Sequence, residues 1–271
     1  MPVHICNTCG TSYPDTAQPP GRCAICEDER QYVARGGQAW ITRERLAATH
    51  ANAWRRLEVD LFEIHTQPEF AIGQRALLLR TPQGNILWDC IALFDDATEA
   101  LLRSLGGIKA IAISHPHYYT CMQDWAHAFE CPIHLHAADA EWVMRGDGAI
   151  RHWQSETLEL LQGVTLLRLG GHFPGGTVLH WTDGADGSGA LLSGDIVQVA
   201  ADLGRVSFLW SYPNMMPLAG VTVRRIADTL KPWPFERIYG AFPGRQVMEN
   251  GARAVERSAA RYIELLESRQ P

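Results

Sequence analysis

Ile108-Lys109-Ala110-Ile111-Ala112-Ile113-Ser114-His115-Pro116-His117 opens as a short apolar run and closes on two imidazoles one residue apart. The run has the length and residue types of a buried strand. His115 and His117 therefore stand where a strand gives way to a loop, and two His at i and i+2 on a loop can converge on one ion. Two other stretches repeat the arrangement. Gly170-Gly171-His172-Phe173-Pro174-Gly175 follows the apolar segment Thr165 to Leu169, and Leu192-Ser193-Gly194-Asp195 ends the segment Ala190 to Ser193. The glycines and the Pro-Gly turn around His172 permit the sharp reversal that aims an imidazole at a shared point. Three imidazoles and a carboxylate delivered by loops make an open metal site with a position left for water.

Composition limits the alternatives. The chain has 271 residues, 46% of them hydrophobic, enough for a sizeable core. A net charge of −6 gives no electrostatic case for nucleic acid or an anionic membrane. No apolar run approaches a membrane span, and Met1-Pro2-Val3-His4 leads straight into a cysteine motif without a visible signal peptide. The expected location is the cytoplasm. The expected partner is a small-molecule substrate, and the sequence leaves the oligomeric state open, a homodimer included.

Residues 1–35 differ from the rest: rich in Pro, Gly, Thr, Asp and Cys, and too short for an apolar core. Cys6-Asn7-Thr8-Cys9 and Cys23-Ala24-Ile25-Cys26 are two knuckles that together close a tetrahedron of thiolates around one ion. The segment resembles a zinc ribbon. Cys6 to Tyr13 also looks like rubredoxin, but the short gap between the pairs favours structural zinc; iron here would open an electron-transfer reading. Residues 36–271 are expected to form the main domain. Arg43 to Arg56 reads as a helix with Thr42 as its N-cap, and Glu141 to Met144 as part of another. Early strands at Leu61 to His65, Arg75 to Arg80 and Asn85 to Asp89, then alternating helices and strands, predict a mixed, layered α/β domain.

With these motifs in this order, residues from about 58 to 250 resemble the metallo-β-lactamase superfamily. The features are Asn85-Ile86-Leu87-Trp88-Asp89, the Ser-His-x-His loop, the Gly-Gly-His-x-Pro-Gly loop and the Ser-Gly-Asp turn. The resemblance implies an αβ/βα sandwich and a first metal held by His115, His117 and His172, with Asp195 bridging toward a second. The departures are specific. Where the family loop continues with Asp and His, this chain has Tyr119 and Thr120, and where a late His is expected it reads Gly240-Ala241-Phe242. A mononuclear centre holding zinc or iron is therefore expected, or one whose second metal is weak or rebuilt, with Cys121 and Asp124 just beyond the His loop as replacement ligands. Asp195 is the expected general base, and Tyr119 a donor to a leaving group or oxyanion.

Phe208-Leu209-Trp210-Ser211-Tyr212-Pro213-Asn214-Met215-Met216-Pro217 reads as a loop over the site rather than a strand. Its Trp210, Tyr212 and Met215, with Tyr118, Phe173 and Phe242, would form an apolar mouth. His65, His134 and His136 are expected to be structural. The leading expectation is a hydrolase acting on a small ester, lactone, thioester or amide-like bond through metal-activated water. A binding or scaffold protein that has lost hydrolysis is the alternative, and an iron redox protein the third.

Overall fold

In a computed structural model the strand Ala110–Ala112 takes the place the opening motif requires, and it is fully buried. The structure describes residues 1–268. The chain divides into two units, Met1–Trp153 and Gln154–Pro271.

The first unit is built on a seven-stranded sheet. Its order is Ile150–Trp153, Ile133–His136, Ala110–Ala112, Ile86–Trp88, Arg75–Leu79, Leu61–Gln67 and Ala51–Glu58. The strands from Ile86–Trp88 to Ile150–Trp153 run parallel, and the others pair antiparallel as hairpins. Parallel strands need covered faces, which is why Ile86–Trp88 and Ala110–Ala112 are unbroken apolar runs. Glu63 and Arg75 are an exception in this apolar sheet. They pair at 2.5 Å with side chains 2% and 0% exposed.

The N-terminal cysteine segment forms a three-stranded sheet, ordered Ser12–Tyr13, His4–Cys6, Trp40–Thr42. The second unit carries a six-stranded sheet ordered Thr157–Leu161, Val164–Arg168, Thr177–Trp181, Ala190–Gly194, Arg237–Gly240 and Gln246–Val247. Its helices Gly220–Leu230 and Gly251–Glu267 bury Val223, Ile226, Val255 and Ile263 in one apolar cluster with Leu167, Leu191 and Ile238. Among the described residues no helix is long and apolar enough to cross a membrane.

Three local expectations are corrected. The helix expected over 43–56 stops at Ala47, and Ala51–Glu58 is a strand paired with Leu61–Gln67. Thr42 does cap the start, accepting from the Arg45 amide at 3.4 Å. The strand lies at a sheet edge and carries the successive residues Arg55 and Arg56 toward solvent, so it lacks the alternation that marks a half-buried strand. The helix expected over 141–144 is instead a 3-10 segment, Ala137–Trp142. The expected loop over 208–217 contains a short hairpin, Leu209–Ser211 with Met216–Pro217.

Candidate metal centre

His115 and His117 belong to the first unit and are set by backbone contacts on both sides. The Ser114 amide donates to Asp89 Oδ1 at 2.7 Å. Asp89 follows the strand Ile86–Trp88 in the left-handed region, φ 62°, which Asp tolerates better than most residues. His115 keeps an extended backbone, and Pro116 then starts a 3-10 turn, Pro116–Tyr118, where its fixed φ fits and no amide is missed. The two imidazole rings lie 5.0 Å apart, centre to centre, both buried. Nδ1 of His115 meets Ser114 Oγ at 2.8 Å, and Gln74 Nε2 donates to the His117 carbonyl at 3.3 Å.

His172 and Asp195 belong to the second unit. Gly170 and Gly171 precede His172 with φ of 63° and 91°, conformations that exclude most side chains. A Cβ on Gly171 would also sit 3.0 Å from Leu218 and Ile226. Nδ1 of His172 lies 2.7 Å from the Trp210 carbonyl and 3.2 Å from that of Leu209. Carbonyls only accept, so Nδ1 carries the hydrogen and Nε2 presents the lone pair, as a metal-ligating His requires. Asp195 follows the strand Ala190–Gly194, and burial pushes its carboxyl up to about 7. A cation reverses that by favouring the charged form.

His115, His117, His172 and Asp195 each offer one ligand atom, and these atoms lie within 4.8 Å of one another, all buried. Two ligands about 2.1 Å from one ion are at most about 4.2 Å apart. The donor set suits zinc or a similar borderline cation.

Among the described residues one other such group exists, the four cysteines. Sγ of Cys6 lies 3.6 Å from that of Cys26, and Cys9 lies 3.6 Å from Cys23. A disulfide needs about 2.05 Å, whereas thiolates about 2.3 Å from a tetrahedral ion are about 3.8 Å apart. The spacing is that of a metal cage. Burial pushes the Cys9 thiol well up, and hydrogen bonds from Cys26, Cys6 and Cys9 hold Cys23 far down. Full ionisation of all four needs a cation among them.

The remaining predicted residues fall as follows. Tyr118 and Phe173 are buried and pack edge-on against the His115 and His172 rings, at 5.3 and 5.1 Å. The Tyr119 phenol is buried, which raises its pKa well above the usual range, with Asp139 adding to the shift. Tyr212 donates its hydroxyl to the Asp195 carbonyl at 2.7 Å, so it fixes the backbone of that turn. Trp210 packs on the core of the second unit, Phe242 is half-buried, and Met215 is 81% exposed. Cys121 and Asp124 do not join the centre. The Cys121 thiol donates to the Ile91 and Ala92 carbonyls, and Asp124 pairs with Arg145 at 2.9 Å. His136 Nδ1 accepts from the Ala138 amide, and burial lowers the pKa of His134; neither belongs to either ligand group. Sequence reasoning missed the supports: Gln74, Ser12, the side-chain role of Asp89, and the carbonyls that orient His172.

One relative matches end to end. The chain is 50% identical over 270 residues to "Uncharacterized protein YmaE" of Bacillus subtilis (strain 168), covering 99% of this chain and 98% of that one. This chain belongs to the YmaE family. No protein-family model matches it. Among solved structures it is similar to the DIM-1 metallo-β-lactamase, with a TM-score of 0.60, 13% identity, and coverage of 80% of this chain and 98% of that one. VMB-1 gives 0.58 at 11% identity, covering 79% and 98%, and the Rm3 metallo-β-lactamase 0.53 at 19%, covering 81% and 94%. At these identities the likeness shows the fold: this chain has the metallo-β-lactamase fold, with a four-cysteine segment at its N-terminal side.

Proposed function

We propose that the protein is a metal-dependent hydrolase of a small ester, lactone, thioester or amide-like substrate. The observation that carries this reading is the convergence of His115, His117, His172 and Asp195 within 4.8 Å. These four residues would hold one ion. When bound, such an ion supplies Lewis acidity, which lowers the pKa of a water and polarises a carbonyl. The chain's own residues do the rest. His172 is held in the tautomer that presents Nε2, by the Trp210 carbonyl. The Asp195 carboxylate is proposed to take the proton of the attacking water. The Tyr119 phenol, kept protonated by burial, is proposed to donate to the leaving group or the oxyanion. Trp210, Met215 and Phe242 retain exposed surface for a substrate, while Tyr118, Phe173 and Tyr212 serve by packing against, or tying down, the ligand-bearing turns.

The proposal includes a single ion at the centre. Thr120 and Phe242 are poor ligands, and Cys121 and Asp124 are engaged elsewhere. That same engagement favours a second reading, a binding or scaffold protein that does not hydrolyse. A crystal soaked in excess zinc, read by anomalous scattering, is expected to show one ion at the centre and one among the cysteines. Two ions within about 4 Å of each other would refute the single-ion reading. Turnover on an ester and lactone panel, lost in Asp195→Asn, is the outcome expected of a hydrolase. A centre that binds its ion firmly yet turns over no ester, lactone, thioester or β-lactam would establish the scaffold reading.

A further inference from the structure

Thr120 closes the loop that carries His115 and His117, and its backbone is strained. Its φ is 30°, in a region that β-branched residues avoid and that persists only where the surroundings enforce it. Its carbonyl is bonded to a residue 108 positions earlier in the chain. The Thr120 carbonyl accepts the Ser12 amide at 2.9 Å and the Ser12 hydroxyl at 2.6 Å, and both residues are 2% exposed. Ser12 belongs to the four-cysteine segment. Its neighbours on both sides touch the sulfurs: Thr11 Oγ1 lies 3.3 Å from Cys9 Sγ, and Tyr13 Oη lies 3.4 Å from Cys23 Sγ. The Cys6 amide closes the knuckle on the Thr11 carbonyl at 3.0 Å. The fit against the loop is close. A Cβ on Gly10, whose φ is 80°, would sit 3.2 Å from the Cβ atoms of Ala71 and Ala92 and 3.6 Å from Thr120 Cγ2.

We propose that Ser12 is a positioning residue for the central metal, and that through it the ion held by the four cysteines sets the affinity of the centre for its own. The path is short. The cysteine ion fixes Thr11 and Tyr13, and these fix Ser12. Ser12 in turn holds the Thr120 carbonyl. Between Thr120 and the ligands lies one tight turn, in which the Tyr118 amide bonds to the His115 carbonyl at 3.0 Å and the Tyr119 amide to the Pro116 carbonyl at 3.1 Å. That turn leaves little slack between Thr120 and His117. Asp89 holds the other end of the loop at Ser114. Coupling of this kind is reciprocal: an occupied centre must also tighten the cysteine site. The inference rests on the reading of His115 and His117 as metal ligands.

Cobalt separates the two sites in one titration, because thiolate coordination gives an intense near-ultraviolet band that a His and carboxylate centre lacks. Full-length wild type and Ser12→Ala are titrated with cobalt alone, following that band and the visible bands of the centre. In Ser12→Ala, which removes the hydroxyl and keeps the amide bond to Thr120, the thiolate band is expected to be unchanged while the affinity of the centre falls several-fold, below the roughly 10- to 100-fold that loss of a contact to a ligand itself costs. Cys23→Ser, which empties the cysteine site, is expected to weaken the centre at least as much. A Ser12→Ala centre that fills within about twofold of wild type overturns the inference alone. Loss of both bands together in Ser12→Ala also overturns it, by showing a general structural role. A wild-type centre that takes no cobalt sinks the reading of the ligands, and the inference with it.

Discussion

Replacing Asp89 with alanine should loosen the centre from its base. In the native chain the Asp89 carboxylate accepts the Ser114 amide at 2.7 Å, and Ser114 is 1% exposed. Alanine leaves that buried amide without its acceptor, which costs about 1–3 kcal/mol. Alanine must also adopt the φ of 62° that Asp89 holds, at about 1–2 kcal/mol. The two add to about 2–5 kcal/mol of stability. Asparagine separates them. It tolerates the left-handed region, and its amide oxygen can still accept, so only the charge-assisted part of the bond is lost, about 1 kcal/mol. Urea unfolding of the metal-free variants measures both values, and a metal titration shows whether the central affinity falls in the same order. Equal losses in Asp89→Ala and Asp89→Asn would refute the reasoning, since the carboxylate charge and not the hydrogen bond and backbone would then be what matters. No loss in either would show that the loop does not depend on Asp89 at all.

Cys9→Ser or Cys23→Ser should lower the metal content by one ion and destabilise the N-terminal segment, while excess metal still fills the centre; elemental analysis decides, and unchanged stoichiometry in both would count against the cage. His117→Ala and His172→Ala should each sharply cut central occupancy, whereas His134→Ala should not, and the reverse pattern would mean that the ligands are misassigned. Arg75→Met should cost about 3–5 kcal/mol, because it strands Glu63 inside the sheet, and the double variant with Glu63→Leu should recover much of that in urea unfolding. Acid should weaken the fold through His180. Burial of its ring holds its pKa below the ordinary 6.5, against the opposing effect of the hydrogen bond to the Pro234 carbonyl at 2.7 Å. The unfolded chain then takes up a proton that the folded chain refuses, so stability falls as pH drops from 6.5 toward that lower value, by up to about 1.4 kcal/mol per pH unit. A stability profile flat from pH 7 to about 5 would contradict this.

The ligand-bearing motifs were legible because short apolar runs and glycine turns are local signals. Ala110–Ala112 and Ala190–Gly194 are buried strands, and each leads into the loop that carries its ligands. The cysteine knuckles were legible for the same reason, since Cys-x-x-Cys spacing alone makes a two-thiolate claw. Elements that depend on distant neighbours were not. Ala51–Glu58 is a strand only because Leu61–Gln67 pairs with it, and the hairpin over 209–217 is set by pairing rather than by propensity.

The sequence by itself determined which side chains can bind metal and how they group along the chain. Tertiary structure alone decided how those ligands are held. The tautomer of His172 follows from carbonyls 37 and 38 residues away, the seat of Ser114 from Asp89, and that of the Thr120 carbonyl from Ser12. The fates of Cys121 and Asp124 were also decided there, by the carbonyls of Ile91 and Ala92 and by Arg145. The reason is physical. A residue type fixes which atoms can donate or accept, but the partner that satisfies a buried polar atom is chosen by the packing of the chain, and spacing along the sequence does not encode it.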